Sequence, residues 1–135
     1  MLQKKFTAWL NIKTSSLPDK DPLYVIKNNG RVCNDQFDAD FGDNQLEIEF
    51  LNKAPTDSQV DKNGNIIADL NVEVQGLIVD GVDLTVQFKN NCVYVVTDGG
   101  IEKTYGFLHK NGKITFEFVC PPFLYLRNLA LVTDL

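Results

Sequence analysis

Short segments of alternating apolar and polar residues, separated by Asn-Gly and Asp-Gly pairs, constrain the fold of this chain most strongly. Residues 5–13 and 45–50 alternate in this way, and a period of two is typical of a half-buried strand. The pairs Asn29-Gly30, Asn63-Gly64 and Asp80-Gly81 mark tight turns that need positive φ. Eight to ten short strands at near-regular spacing predict an all-β, two-sheet antiparallel β-sandwich that is jelly-roll-like, with a closed barrel as the alternative.

Four further segments carry local predictions. Residues 52–65 are the longest polar stretch and predict a long loop closed by a tight turn. Residues 84–88 are predicted as a strand that turns at residues 90–91. Residues 102–108 and 113–119 are predicted as a hairpin joined at residues 109–112, whereas residues 123–132 are the one segment that could be helical, with Pro122 suited to its start.

Composition excludes several classes of partner. The 135 residues predict a single β-sandwich domain over residues 1–135. Thirteen Lys and Arg against 18 Asp and Glu give a net charge of -5, so we expect no nucleic acid as a partner. No apolar run approaches the roughly 20 residues of a membrane span, and the first residues lead into a strand pattern rather than a signal-peptide core. We therefore expect a protein that binds no membrane and is not secreted by that route.

Cysteine and histidine are too sparse for common catalytic or metal-binding sets. Cys33, Cys92 and Cys120 form no C-x-x-C pair and predict reduced, mostly buried thiols. His109 is the one histidine, and its neighbours predict a surface turn rather than a catalytic base. The sequence therefore predicts a protein that is not an enzyme.

Acidic residues at positions 35–43 raise the question of calcium. Asp38, Asp40 and Asp43 are closely spaced carboxylates, which Ca²⁺ prefers as ligands. With Asp38 at position 1 of a calcium loop, however, the glycine comes one residue early, and Glu49 at position 12 belongs to a strand. A solvated acidic loop is the favoured interpretation, and a metal site at the three aspartates is the alternative.

A second polar cluster lies on the long loop. Asp57, Asp61, Asn63 and Asp69 carry oxygens and amides that could coordinate calcium or hydrogen-bond sugar hydroxyls. The same residue types cap backbone groups in turns. The two alternatives are a ligand-binding loop and a structural one.

Exposed aromatic side chains offer another kind of site. Trp9 falls on the polar face of the first predicted strand, and with Tyr105, Phe123 and Tyr125 it could stack on a sugar ring. The alternatives are core packing and protein–protein contact.

Three stretches of the chain resemble small uncharacterised β-sandwich proteins of tailed phages that infect cyanobacteria and other marine bacteria. They are KFTAWLNIKT at residues 5–14; LEIEFLNK and DKNGNI at residues 46–53 and 61–66; and KTYG, NGKITFEF and PPFLYL at residues 103–106, 111–118 and 121–126. The resemblance implies a lectin-like sandwich with a structural or accessory role in the virion. It also implies synthesis in the host cytoplasm.

The leading functional hypothesis is a non-enzymatic capsid-decoration, tail or fibre-associated protein whose partners are other virion proteins or copies of itself. The apolar segment at residues 123–135 is the predicted interface, through Phe123, Tyr125, Leu129 and Leu131. The alternative is a carbohydrate-binding module that binds a glycan with or without calcium. The polar loop at residues 52–69 resembles that of calcium-dependent carbohydrate-binding sandwiches.

Overall fold

Two antiparallel sheets pack face to face in this protein. The computed structural model describes residues 5–133, with all side chains except those of Ile67 and residues 128–133. In chain order the strands are β1 (Lys5–Ser15), β2 (Tyr24–Asn28), β3 (Arg31–Cys33), β4 (Gln36–Asp40), β5 (Gly42–Phe50), β6 (Ser58–Val60), β7 (Ile66–Asp69), β8 (Asn71–Val79), β9 (Val82–Asp83), β10 (Val93–Val96), β11 (Ile101–Glu102), β12 (Phe107–Leu108) and β13 (Gly112–Cys120). The helices are α1 (Thr85–Asn91) and α2 (Pro122–Thr133), and a 3-10 turn covers Pro55–Asp57.

The front sheet has the strand order β12-β8-β1-β4, with β9 also paired to β8. The back sheet has the order β11-β10-β13-β5-β2-β3, and β6 and β7 form a separate hairpin. The chain passes repeatedly from one sheet to the other, and every pairing is antiparallel. The predicted two-sheet antiparallel sandwich is therefore confirmed. The closed barrel is wrong, since the front sheet ends at β4 and the back sheet at β3.

The core lies between the sheets and follows from the alternation. In β1 the side chains of Phe6, Ala8 and Leu10 are buried, whereas their neighbours point outward. Strands β5, β8 and β13 bury alternate residues in the same way. Burial of one face of each sheet in a single cluster stabilises the fold by about 25 cal/mol for each Å² of apolar surface removed from water.

Several turns and one helix agree with the sequence predictions. Asn29 and Gly30 have φ of 53° and 79° and join β2 to β3, which is the conformation that a two-residue hairpin turn requires. Asp80 and Gly81 join β8 to β9 in the same conformation. Helix α2 begins at Pro122, where a residue without an N–H costs least.

The predicted strand at residues 84–88 is wrong, because this segment opens into helix α1. Leu84 and Phe88 are both fully buried, whereas Val86 is 65% exposed. Positions i and i+4 share one face of a helix, so this pair reaches the core together. The Asp83 carboxylate accepts the Thr85 N–H at 2.9 Å at the start of the helix.

The predicted hairpin of residues 102–108 with 113–119 is also wrong. Strand β12 pairs with β8 in the front sheet, and β13 pairs with β10 and β5 in the back sheet, so residues 109–111 cross between sheets. The Tyr94 hydroxyl anchors the crossing, since it accepts the Lys110 N–H at 3.1 Å and donates to the Lys110 carbonyl.

The polar stretch at residues 52–65 is more ordered than the predicted loop. It contains the 3-10 turn and β6, which pairs with β7 across a turn at Gly64 (φ 83°). No helix within residues 5–133 is long and apolar enough to cross a membrane.

Candidate functional site

The outer face of the front sheet carries the exposed Trp9. Its side chain is 53% exposed, and no hydrogen bond to its indole N–H is found among the described residues. Strand register places Trp9 directly opposite Gln36 of β4 on one side and Ile78 of β8 on the other. Ile78 in turn lies opposite Asp83 of β9. Because directly opposite residues in antiparallel strands point to the same side, these four side chains form a continuous row, here called the Trp9 row.

A groove of about 430 Å³ lies beside the Trp9 row. Its lining includes Trp9, Asn11, Gln75, Ile78 and Thr85, and Gly76, which has no side chain, lies among them. The groove therefore joins an aromatic and an aliphatic surface to amide and hydroxyl groups. This is the composition of sites that take small polar ligands with one apolar face.

The irregular pairing of β1 with β8 shapes this groove. Their register shifts between Asn11 and Ile12, opposite Gly76. A Cβ added at Gly76 would lie 3.2 Å from Thr85 Oγ1 and 3.7 Å from Asn11 Cβ. The absence of a side chain at position 76 thus keeps this part of the groove open.

A second groove of about 820 Å³ runs along the open edge between β3 and β4. It shares Gln36 with the Trp9 row and also contains Asp35 and Asp38. Asp38 lies directly opposite Thr7, so it is diagonal to Trp9, a separation of about 7–8 Å that long side chains can bridge. The structure thus brings Trp9 and Asp38, which the sequence analysis assigned to different sites, onto one surface.

The other two residues of the predicted metal site have structural partners. Asp40 forms an ion pair with Arg31 and accepts an Asn29 amide hydrogen bond at 2.8 Å. The buried side chain of Asn44 holds the turn that follows Asp40. Its Oδ1 accepts the Asp40 N–H and its Nδ2 donates to the Asp40 carbonyl, both at 2.9 Å. Asp43 lies on the exposed side of β5 in the other sheet. Asp38, Asp40 and Asp43 therefore do not converge.

The predicted ligand-binding loop is held together by its own carboxylates. Lys20 Nζ lies 2.5 Å from Asp57 Oδ2, and this ammonium, together with the Ala54 N–H, holds the pKa of Asp57 below its usual value. Asp69 forms an ion pair with Lys53. Burial raises the pKa of Asp69, but hydrogen bonds from Lys53, Ser58 and Asn71 outweigh it and leave the pKa lowered.

The remaining two residues of that loop lie at the tip of the β6–β7 hairpin. The Asp61 carboxylate accepts the backbone N–H groups of Asn63 and Asn65 at 2.8 and 2.9 Å, and these bonds lower its pKa. The Asn63 side chain is exposed. Asp61 therefore caps the turn, which is the structural alternative considered for this loop.

Calcium does not fit these carboxylates. The ammonium groups of Lys20 and Lys53 already neutralise Asp57 and Asp69, and a cation there would be repelled by them. Among the described residues, no three His, Cys, Asp or Glu side chains are grouped to hold a metal ion. Calcium binding stays a prediction that these side chains do not support.

The residues of the predicted interface on α2 differ in their exposure. Phe123 is 60% exposed. Tyr125 packs against the core, with its ring edge-on to Phe116 at 6.0 Å between centroids, and burial raises its pKa. The side chains of Leu129 and Leu131 lie outside the described residues.

His109 and the three cysteines are not members of the Trp9 row. His109 lies in the crossing between sheets, stacked on Phe107 and 3.2 Å from a Glu102 oxygen. Cys92 and Cys120 are buried and Cys33 is half-buried, all as free thiols. Burial raises the pKa of Cys120 to about 11, which keeps this thiol protonated at neutral pH.

The sequence predicts Trp9 as a site residue but does not predict its partners, which are Gln36, Gln75, Gly76, Ile78 and Asp83. Strand alternation alone places Ile78 on the exposed face of β8. Its position opposite Trp9, however, depends on the pairing of two strands that lie far apart in sequence. The sequence therefore indicates that Ile78 is exposed, but it does not indicate that Ile78 lies beside Trp9.

Comparisons with known proteins give a likeness of fold. No protein-family model matches the chain, and no curated protein matches it. A solved structure of vCBM60 in complex with galactobiose is similar at 17% identity and a TM-score of 0.48, covering 84% of this chain and 97% of that one. A selenomethionine form of vCBM60, from work on two families of calcium-dependent carbohydrate-binding modules, is similar at 16% identity and a TM-score of 0.49, covering 84% and 90%.

Proposed function

We propose that this chain is a non-catalytic carbohydrate-binding module whose sugar platform is the Trp9 row. The single observation that carries the proposal is the exposed indole of Trp9 between Ile78 and Gln36, beside a groove lined by amides and a hydroxyl. A pyranose ring has one face of C–H groups and a rim of hydroxyls. The first suits an aromatic surface, and the second suits Asn, Gln and Thr side chains.

The Trp9 row is preferred to the carboxylates of the β6–β7 region as the sugar platform, because the two sites differ in their existing hydrogen bonds. The carboxylates of the β6–β7 region accept hydrogen bonds from lysine and backbone groups, so sugar hydroxyls would have to displace these partners. The Trp9 indole has no such partner among the described residues. Stacking of a ligand on the Trp9 indole displaces no internal hydrogen bond among the described residues, which favours this surface as the platform.

Calorimetric titration with neutral oligosaccharides tests the proposal. We expect Trp9→Ala to weaken binding at least about fivefold, since an aromatic stacking contact contributes about 1–3 kcal/mol. Phe123→Ala is the matched control, because Phe123 is an exposed aromatic residue of α2, distant in sequence from the groove. Equal affinities of the Trp9→Ala variant and the unaltered protein would contradict the proposal.

A role in a phage particle is a second candidate, favoured by the exposed Phe123 at the start of α2. An exposed aromatic residue on a helix is typical of protein–protein contacts. A virion protein could also bind glycans, so the two functions are compatible. Fixed-stoichiometry co-purification with phage particles would support this candidate, and absence from purified particles would contradict it.

A further inference from the structure

The charged groups beside the Trp9 row are acidic. Asp38 lies diagonal to Trp9 and is exposed, and none of the described side chains hydrogen-bonds or ion-pairs with its carboxylate. Asp83 ends the row on the opposite side, where hydrogen bonds from the Thr85 hydroxyl and N–H lower its pKa. Asp35 adds a third carboxylate in the neighbouring groove.

The positive charge on β1 is farther from Trp9. The lysines on the outward side of β1 are Lys5 and Lys13, each four residues from Trp9, or about 13 Å along a strand. Lys5 lies opposite Asp40, and Lys13 lies opposite Glu73. A ligand on Trp9 is therefore closer to the Asp38 carboxylate than to either of these lysines.

We propose, on the basis of the proposed function, that the Trp9 row selects amino sugars, which are glycans with free ammonium groups. The pyranose ring stacks on Trp9 while an ammonium group lies by Asp38, whose carboxylate attracts it. Uronates, sialylated glycans and sulfated glycans are disfavoured, because like charges repel at these separations.

Glycan is favoured over a lysine-rich peptide because of the groove itself. Asn11 and Gln75 line it, and their side-chain amides can both donate and accept hydrogen bonds. Sugar hydroxyls need both functions around an apolar ring face. An extended peptide would instead pair with free backbone groups at a sheet edge. A free edge lies at β4, whereas Trp9 and Ile78 belong to strands that are paired on both sides.

The test compares three trimers of one size by calorimetry: glucosamine, N-acetylglucosamine and galacturonate. Mildly acidic buffer keeps the sugar amines protonated. We expect the glucosamine trimer to bind about two- to fivefold more tightly than the neutral one, the factor that an exposed ion pair supplies. Galacturonate should bind most weakly, and added salt should remove the differences.

Asp38→Asn is the diagnostic variant. It should abolish the advantage of glucosamine over N-acetylglucosamine. Asp43→Asn is the matched control, because it removes the same charge from an exposed strand position on the back sheet and should change no affinity. Since Asp38 has no partner among the described side chains, both variants should retain the melting temperature of the unaltered protein.

The outcomes separate this inference from the function on which it rests. Binding of the neutral trimer with no gain for glucosamine, or tighter binding of galacturonate, would overturn the selectivity alone. Tighter binding of a lysine tripeptide than of any trimer would overturn it in favour of a peptide ligand. If none of the trimers binds, the proposed carbohydrate-binding function fails as well.

Discussion

The side-chain amide of Asn111 pairs with both backbone groups of Lys53. Its Oδ1 accepts the Lys53 N–H at 2.7 Å, and its Nδ2 donates to the Lys53 carbonyl at 2.8 Å. The Asn111 side chain thus supplies the two hydrogen bonds that a neighbouring strand would otherwise make to the Lys53 backbone. It also connects two segments that are 58 residues apart in sequence. Lys53 is held there to reach Asp69.

We expect Asn111→Ala to lower the free energy of unfolding by about 2 kcal/mol, because it leaves a half-buried N–H and C=O without partners. Asn63→Ala, at an exposed hairpin tip, should change it by less than about 0.5 kcal/mol. Urea denaturation of both variants checks this. Equal stability of the two variants would show that water replaces the Asn111 amide.

Stability should fall in acid because of Asp57 and Asp69. Their pKa values are lower in the folded chain than the ordinary 3.8 of the unfolded one. The stabilisation is therefore complete above the unfolded pKa and is lost as the pH falls through the folded values. Melting temperatures measured from pH 6 down to about pH 2 should decrease less in Asp69→Asn than in the unaltered protein, and parallel curves would contradict this.

Gly112 should tolerate no side chain, for a reason other than turn geometry. Its φ is not positive, but an added Cβ would lie 2.5 Å from the Val95 carbonyl oxygen and 2.8 Å from Val96 Cα. We expect Gly112→Ala to cost about 3 kcal/mol of stability, since backbone must move. Gly64→Ala, with φ of 83° and nothing near the new Cβ, should cost about 1 kcal/mol. Thermal or urea unfolding measures both losses of stability, and a larger loss in Gly64→Ala than in Gly112→Ala would contradict this prediction.

The aliphatic partner of Trp9 should matter for binding. Ile78→Ser should weaken the affinity for a neutral oligosaccharide by about fivefold, because roughly 1 kcal/mol of apolar contact is lost. Val95→Ser is a close control, since Val95 is 42% exposed on the back sheet and Ile78 is 43% exposed on the front sheet. Equal losses in both variants would point to a general destabilisation instead.

The sequence predicts the parts of this fold that local patterns specify. Strand β1, the turn at Asn29-Gly30 and the start of α2 at Pro122 all follow from alternation or from backbone requirements. Helix α1 does not, because apolar residues at positions 84, 86 and 88 fit a strand, while the pair 84 and 88 also fits a helix. Only the core, which takes Leu84 and Phe88 and leaves Val86 outside, separates these alternatives.

The candidate site was predictable only in part for a related reason. Alternation identifies Trp9 as outward-facing, but its neighbours Gln36 and Ile78 come from strands 27 and 69 residues away. In the polar loop, Asp57 and Asp69 are residue types that could bind a ligand, yet both form ion pairs with lysines. The residue type determines which interactions a side chain can form, whereas strand pairing determines which residues it contacts.

Mapping the binding surface by NMR shows directly whether a glycan binds at the Trp9 row. On titration of isotope-labelled protein with the N-acetylglucosamine trimer, we expect the Trp9 indole N–H and the backbone amides of Gln36 and Ile78 to shift together, with one dissociation constant. Shifts confined to residues 57–69, with the Trp9 indole unmoved, would contradict it and place the ligand on the polar loop.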